Sequence, residues 1–292
     1  MVVEAASGPG PVTTLVTGAG GRLGRAAVRG LISTGEVVGL ARTELDVTDR
    51  DGVHAAVAAH RPAVVVNCAA WTDVDGCEVD SERARRANTE APGFLREACE
   101  ATGAHLVHIS TDYVFDGESS IPYREDDPTG PLGVYASTKL DGETAAGPAA
   151  TVVRTSWLQA SDAPSMVDRF IDDLEGPGEV LVLSGRRANP TFVDDLVPLL
   201  GLLAAERHAG VVHATNAGAT TWASFARLVA AAAGHDPGRI RETVEDGSRL
   251  ARRPSFSALD NAVLRELGHR PLRHHAEAVT EAVGRALAAR SG

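Results

Sequence analysis

The chain has 292 residues, 43% of them hydrophobic and 23% charged, the balance of a globular protein long enough, at about 150 residues per domain, for one large domain or two. A formal net charge of -11 argues against a nucleic-acid or anionic-membrane surface, while leaving room for a local basic pocket that takes one phosphorylated ligand. Cys68, Cys77 and Cys99 lack CxxC spacing and the histidines lack ligand spacing, so buried thiols in a reducing compartment, no metal site and a solvated His274-His275 are expected.

The stretch Met1 to Pro11 has neither a basic n-region nor an apolar h-region. The longest apolar runs, such as Leu196 to Ala205, are too short and interrupted to span a bilayer, so a cytoplasmic protein is expected. Thr13-Thr14-Leu15-Val16-Thr17 is a β-branched run that ends in Gly18-Ala19-Gly20-Gly21-Arg22-Leu23-Gly24, and a helical pattern follows from Arg25 to Ile32. Gly18, Gly21 and Gly24 in that context allow a tight turn, close approach to a pyrophosphate at the helix N-terminus, and close packing of helix on strand. The alternative is a plain glycine-rich turn. Val37-Val38-Gly39-Leu40 reads as the second strand, whose end meets the adenosine ribose in dinucleotide folds. Ala41-Arg42 stands there instead of the acid common in NAD sites; with Arg22 it favours a 2′-phosphate and hence NADPH, unless Arg42 is an ordinary solvated residue. Asp46-Val47-Thr48-Asp49 is predicted to cap the helix Asp51 to His60.

Pro62 to Asn67 is a continuous apolar run, as a central parallel strand buried on both faces requires. Just beyond it the small residues Ala69 and Ala70 let the backbone lie against a cofactor. A long helix, Ser81 to Ala101, carries Asn88. Ala104 to Thr111 reads as a further strand running into Asp112-Tyr113, at the carboxyl end where open α/β sheets keep their ligands. Val134-Tyr135-Ala136-Ser137-Thr138-Lys139 holds the only lysine among 28 basic residues. Four residues make about one helical turn, so Tyr135 and Lys139 share a face. An adjacent ammonium stabilises phenolate, and bringing a tyrosine from ~10 to near 7 takes about 4 kcal/mol of differential interaction, which makes Tyr135 a candidate proton donor. A lone YxxxK also occurs as a surface pair; the solitary lysine weighs against that reading. Val180 to Leu183 is read as a strand and a helix is read from Val193, after a break at Trp157. The expected division is a cofactor domain of residues 12–157 plus 190–212 and a substrate lobe of 158–189 plus 213–292.

Thr17 to Gly24, Asn67 to Glu78, Ile109 to Phe115, Tyr135 to Lys139 and Arg154-Thr155-Ser156-Trp157 stand in the order and spacing of the dTDP-4-dehydrorhamnose reductases, extended short-chain dehydrogenase/reductases that the chain resembles from about Thr13 to Val279. Gly218 to Trp222, and Ala251-Arg252-Arg253-Pro254 with Ser257 and Leu259, extend the resemblance. It implies a Rossmann-type doubly wound parallel α/β sheet with a small C-terminal substrate-binding lobe. It also implies NADPH as cofactor, with NADH as an alternative, and reduction of the C4 ketone of a nucleotide-linked 6-deoxyhexose. Tyr135 would then be the proton donor, Lys139 its pKa-lowering neighbour and ribose anchor, and Thr111 the hydrogen-bonding partner of the substrate oxygen. Asp112, Tyr113 and Trp157 would line the sugar. Gly18, Gly21, Arg22, Leu23, Gly24, Arg42, Asp46, Val47, Ala69, Ala70, Thr72 and Asn88 would join Tyr135 and Lys139 on the cofactor.

The chain departs from the family on the substrate side. Gly185-Arg186-Arg187-Ala188-Asn189 precedes the matching Pro190-Thr191, and Gln159-Ala160 with a shortened Ser161 to Met166 follows Trp157. The exact sugar and its stereochemistry therefore stay open, and Arg186 and Arg187 either meet a diphosphate or are solvated. A nucleotide sugar is the expected small-molecule partner, with no nucleic acid and no membrane; a homodimer is left open. The rival readings are a non-catalytic nucleotide-binding regulatory subunit, like that of methionine adenosyltransferase, and a nucleotide-sugar epimerase or dehydratase. Intact Thr111, Tyr135 and Lys139 speak against the first. Tyr113, where dehydratases place a second acid after Asp112, speaks against a dehydratase.

Overall fold

The structure, a computed structural model, describes residues 13–160, 165–244 and 249–291. Met1 to Pro11, and Ser161 to Pro164 of the shortened segment, lie outside the described residues. Short runs rich in β-branched residues form β1 (Thr14–Thr17), β2 (Val37–Leu40), β3 (Val64–Asn67), β4 (His105–Thr111) and β5 (Thr151–Thr155). With the edge strand Gly210–His213 they make a six-stranded sheet in the order Gly210–His213, β5, β4, β3, β1, β2. Every pairing in it is parallel.

Alternate strand residues enter opposite layers, as a period of two demands. Val16, Val66, Val107 and Val153 pack with Leu23 and Ala27 of helix α1 (Arg22–Gly30) and with Leu196, Leu200 and Leu203 on one face. Leu15, Val65 and Leu106 pack with Val53, Val57 and Leu95 on the other. Helices on both faces of a parallel sheet are the doubly wound arrangement that the sequence implied. The apolar run Leu196 to Ala205 lies within the helix Val193–Glu206 of this core. Among the described residues no helix is long and apolar enough to cross a membrane. A second apolar cluster joins Phe170, Ile171 and Leu174, Val180 and Val182, Phe225 and Val229, and Val279 and Val283 into a smaller lobe. The strand Val180–Leu183 pairs there with Ile240–Thr243.

Three local expectations are corrected. The long helix after β3 is interrupted by a π-helical turn, Arg86–Glu90, between Ser81–Arg85 and Ala91–Thr102, and that turn carries the buried Asn88. Asp46 does not cap the next helix, because its carboxylate takes the Thr48 amide and hydroxyl at 3.0 and 2.8 Å; the helix starts at Arg50, after an Asp49 that makes no capping bond. His275 is buried, with Nδ1 3.1 Å from the Ala217 carbonyl where the last helix packs onto the lobe, so of the pair only His274 is exposed.

Candidate active site

β1 ends at Thr17, and Gly18 turns the chain with φ of 66°. A Cβ at Gly18 would stand 2.7 Å from the Ala69 amide nitrogen, and one at Gly24 would run into the Gly18 carbonyl. Close approach of turn, helix and the loop after β3 thus demands glycine at both positions. Helix α1 begins with no side-chain cap and no acid in its first turn. Free N–H groups at a helix N-terminus beside a glycine turn suit a pyrophosphate, so the residues present fit a dinucleotide.

Strand order reverses across β1 and β3, and a crevice opens over their carboxyl ends. Two clefts meet there, sharing Gly21, Cys68 and Ala70. One, of about 340 Å³, is lined by Gly18, Arg42, Asp46, Val47 and Ala69. The other, of about 640 Å³, is lined by Arg22, Leu23, Thr72, Thr111, Asp112, Tyr113, Tyr135, Lys139 and Trp157. Of the residues expected on the cofactor, the sugar and the reacting oxygen, all but Gly24 and Asn88 line one of the two clefts, and Arg186 and Arg187 line neither. Gly24 packs behind the turn. Asn88 is spent on structure: its Oδ1 accepts from the Trp71 amide at 2.9 Å, and its Nδ2 donates to the Trp71 carbonyl at 3.1 Å and to Thr138 Oγ1 at 3.3 Å. It sets the path of the loop whose Ala69, Ala70 and Trp71 line the smaller cleft, instead of reaching the cleft itself.

A polar chain behind the Ala69-Ala70 shelf has no counterpart in the motifs read from sequence. Thr17 Oγ1 donates to Asn67 Oδ1 at 2.7 Å, the Ala69 amide donates to the same oxygen at 3.1 Å, and Asn67 Nδ2 lies 3.0 Å from His108 Nδ1. Burial, helped by the Lys139 charge, holds His108 well below the usual histidine range, so the imidazole is neutral and can accept this bond.

Thr111 closes β4, and Tyr135 and Lys139 project from the helix Val134–Ala146, whose first amide donates to Glu78 Oε1 at 2.8 Å. The Thr111 hydroxyl donates to Asp112 Oδ1 at 3.1 Å and accepts from the Tyr113 amide at 3.2 Å, while Ser257 Oγ donates to Asp112 Oδ2 at 2.5 Å. Burial raises Asp112 to about 7, against these hydrogen bonds. The expected electrostatics of the Tyr135 and Lys139 pair are corrected. Burial pushes the Tyr135 phenol above the usual tyrosine range, and a hydrogen bond with Thr111 works against it. Lys139 Nζ donates instead to the Ile109 carbonyl at 2.6 Å. Burial brings Lys139 down to about 8, with the Glu143 charge working the other way. A shared helix face fixes proximity, but the long lysine stem chose a carbonyl over the phenol.

Sequence reasoning missed the groups that support this centre. Glu143, one turn beyond Lys139, takes two hydrogen bonds from Arg154, Nε to Oε1 at 2.9 Å and Nη2 to Oε2 at 2.7 Å, and one from Ser110 Oγ at 2.5 Å. Arg83 and Arg86 line the smaller cleft across from Arg42, with Arg83 4.3 Å over the Trp71 ring. Arg253 donates to both oxygens of Asp75 at 3.1 and 2.7 Å, which ties the segment after Ala251 to the loop beyond β3 and holds Asp75 down at about 2. Spacing gave a signal for Glu143 and none for a partner across the fold such as Arg253. Of the two arginines at the departing segment, Arg187 is exposed and the Arg186 charge is felt by Tyr113.

The chain matches the family described as RmlD substrate binding domain over residues 12–287. It is 44% identical over 289 residues to the dTDP-4-dehydrorhamnose reductase of Streptomyces griseus, covering 95% of each protein. It is 38% identical over 278 residues to the dTDP-4-keto-6-deoxy-D-glucose reductase of Streptomyces niveus, covering 92% of this chain and 95% of that protein. The crystal structure of a dTDP-4-dehydrorhamnose reductase from Clostridium acetobutylicum superposes with a TM-score of 0.89 at 33% identity, over 94% of this chain and 99% of that one. That of the Bacillus anthracis enzyme in complex with NADP does so with a TM-score of 0.88 at 27% identity, over 94% and 98%. Sequence similarity from end to end and a shared fold agree with the site geometry, and the chain belongs to the dTDP-4-dehydrorhamnose reductase family.

Proposed function

We propose that the chain uses NADPH to reduce the C4 ketone of a dTDP-4-dehydro-6-deoxyhexose. The observation that carries this reading is the continuity of the crevice: Thr111, Tyr135 and Lys139 line a cleft that joins, at Gly21 and Ala70, a second cleft lined by Arg42. Bound NADPH would supply the hydride at the sugar C4. Tyr135, protonated at neutral pH, gives its phenolic proton to the oxygen as the carbonyl becomes an alcohol, and is reprotonated from solvent. Thr111 orients that oxygen by turning its one hydroxyl proton from Asp112 Oδ1 to the ketone, while the Tyr113 amide keeps the Thr111 oxygen in place. Lys139 holds the ribose with its ammonium, and Arg42 with Arg22 meets the 2′-phosphate. Tyr113 and Trp157 line the sugar. The cofactor half in this reading comprises residues 12–157 and 190–212 and the sugar half 158–189 and 213–292, acting in the cytoplasm.

The second reading is a related deoxysugar ketone instead of the rhamnose precursor. It is favoured by the altered segments after Trp157 and before Pro190 and by the Streptomyces niveus relative. The test is the purified protein with NADPH and enzymatically made dTDP-4-keto-6-deoxyglucose, with and without a 3,5-epimerase, followed by loss of NADPH absorbance. Turnover only with the epimerase supports the rhamnose precursor, turnover without it supports the second reading, and none in either arm contradicts both.

A further inference from the structure

Outside glycine, three described residues have positive φ, and Trp157 is the one that lines a cleft. Its φ of 41° lies in the left-handed region that side chains larger than asparagine rarely adopt. Strain of this kind at a site persists only where the surroundings over-determine it. Here they do. The Trp157 carbonyl accepts from Gln159 Nε2 at 2.7 Å and from the Thr191 amide at 3.3 Å. The indole is stacked on Trp222 with ring centroids 3.9 Å apart and planes 10° from parallel. Trp222 begins the helix Trp222–Ala232 of the smaller lobe and is braced edge-on by Phe225 at 5.7 Å. The stack therefore joins the chain leaving β5 to the lobe packed beside it, in the wall of the cleft that holds Tyr135.

We infer that Trp222 is a positioning residue: its ring locks the strained Trp157 so that the Trp157 indole presents a fixed apolar face to the deoxyhexose. Stacked aromatic rings fix one another's planes, and a flat apolar face suits the C–H side of a sugar lacking its 6-hydroxyl. Trp222 works through Trp157, so its loss acts on sugar binding and leaves both the cofactor cleft and the proton donor as they were. The inference rests on the reductase reading given above; an inactive wild-type protein would defeat that reading, whereas the comparison below requires an active one.

The experiment is steady-state reduction by wild type, Trp222→Ala, Trp157→Ala and the double variant, with NADPH binding measured in parallel as the check on folding. Trp222→Ala is expected to raise KM for the nucleotide sugar about tenfold, which is about 1.4 kcal/mol, with kcat within about threefold of wild type and an unchanged NADPH Kd. The decisive readout is additivity: in the Trp157→Ala background, Trp222→Ala should add less than about twofold to KM. Independent, multiplying effects would mean that Trp222 meets the sugar on its own account, and an unchanged KM in the single variant would mean that the stack does nothing for binding; either result overturns the inference. Should the alanine variant not fold, Trp222→Leu, apolar but without the aromatic face, carries the same comparison with the same two outcomes.

Discussion

Glu143→Ala should be strongly destabilising although Glu143 lines neither cleft. The carboxylate and its partner Arg154 have side chains only 7% and 5% exposed, and they meet through two hydrogen bonds of 2.9 and 2.7 Å. Deleting the carboxylate leaves a guanidinium buried beside the Phe115 ring with no counter-charge. His213, 3.5 Å from Arg154 Nη1, can supply no negative charge; burial and the arginine itself hold it at about 3, so it stands there as a neutral imidazole. Breaking one side of such a pair costs about 3–5 kcal/mol, a large fraction of a total near 5–15 kcal/mol. Urea denaturation followed by circular dichroism measures it, and a loss under ~1 kcal/mol would refute the reasoning. The double variant Glu143→Gln/Arg154→Met, which removes both charges, should recover much of the loss. The functional consequence concerns Lys139, which burial brings from 10.5 to about 8 against the opposing Glu143 charge. A group with a depressed folded value loses its proton as pH rises through that value. Activity that needs the ammonium therefore falls above pH about 8, and in Glu143→Gln the fall moves to lower pH.

Three further outcomes follow from the same geometry. Arg42→Ala should weaken NADPH binding about tenfold or more while leaving NADH unchanged, because an arginine–phosphate contact is worth ~1.5–3 kcal/mol; equal wild-type dissociation constants for the two cofactors by fluorescence titration would sink this assignment. Asp112 is raised from 3.8 to about 7 by burial, so its protonated form favours the fold. That contribution is complete below pH ~3.8 and lost as pH rises to about 7, at most ~4 kcal/mol, and Asp112→Asn should flatten the decline in melting temperature over that window. In Lys139→Arg the alkaline limb near pH 8 should disappear along with most of the activity, since a guanidinium does not titrate there; a limb that survives belongs to another group.

The sheet and the glycine turn were legible because hard constraints write them: apolar runs in strands buried on both faces, and a turn where a Cβ at Gly18 or Gly24 collides with backbone. Thr111, Tyr135 and Lys139 were legible because strand ends and helix faces place them whatever their side chains then do. What spacing could not fix was direction. The Lys139 stem turns to the Ile109 carbonyl, and Asn88, on a π turn that no periodicity announces, faces the Trp71 backbone. Asp46 found a nearer partner in Thr48 than the helix it precedes. Contacts across the fold, Trp157 with Trp222 and Arg253 with Asp75, join residues far apart in the chain, and nothing local encodes them.

The turnover of Tyr135→Phe decides whether Tyr135 is the proton donor in NADPH-dependent ketone reduction. Both Tyr135→Phe and wild type are assayed with NADPH and the dTDP-4-dehydro-6-deoxyhexose, and the NADPH dissociation constant of each is measured beside the rate. Removing a general acid costs about 10²–10⁴-fold, so a drop of that size is expected, with cofactor binding nearly intact. Turnover by Tyr135→Phe at the wild-type rate would contradict it, and so would a loss explained wholly by failed NADPH binding.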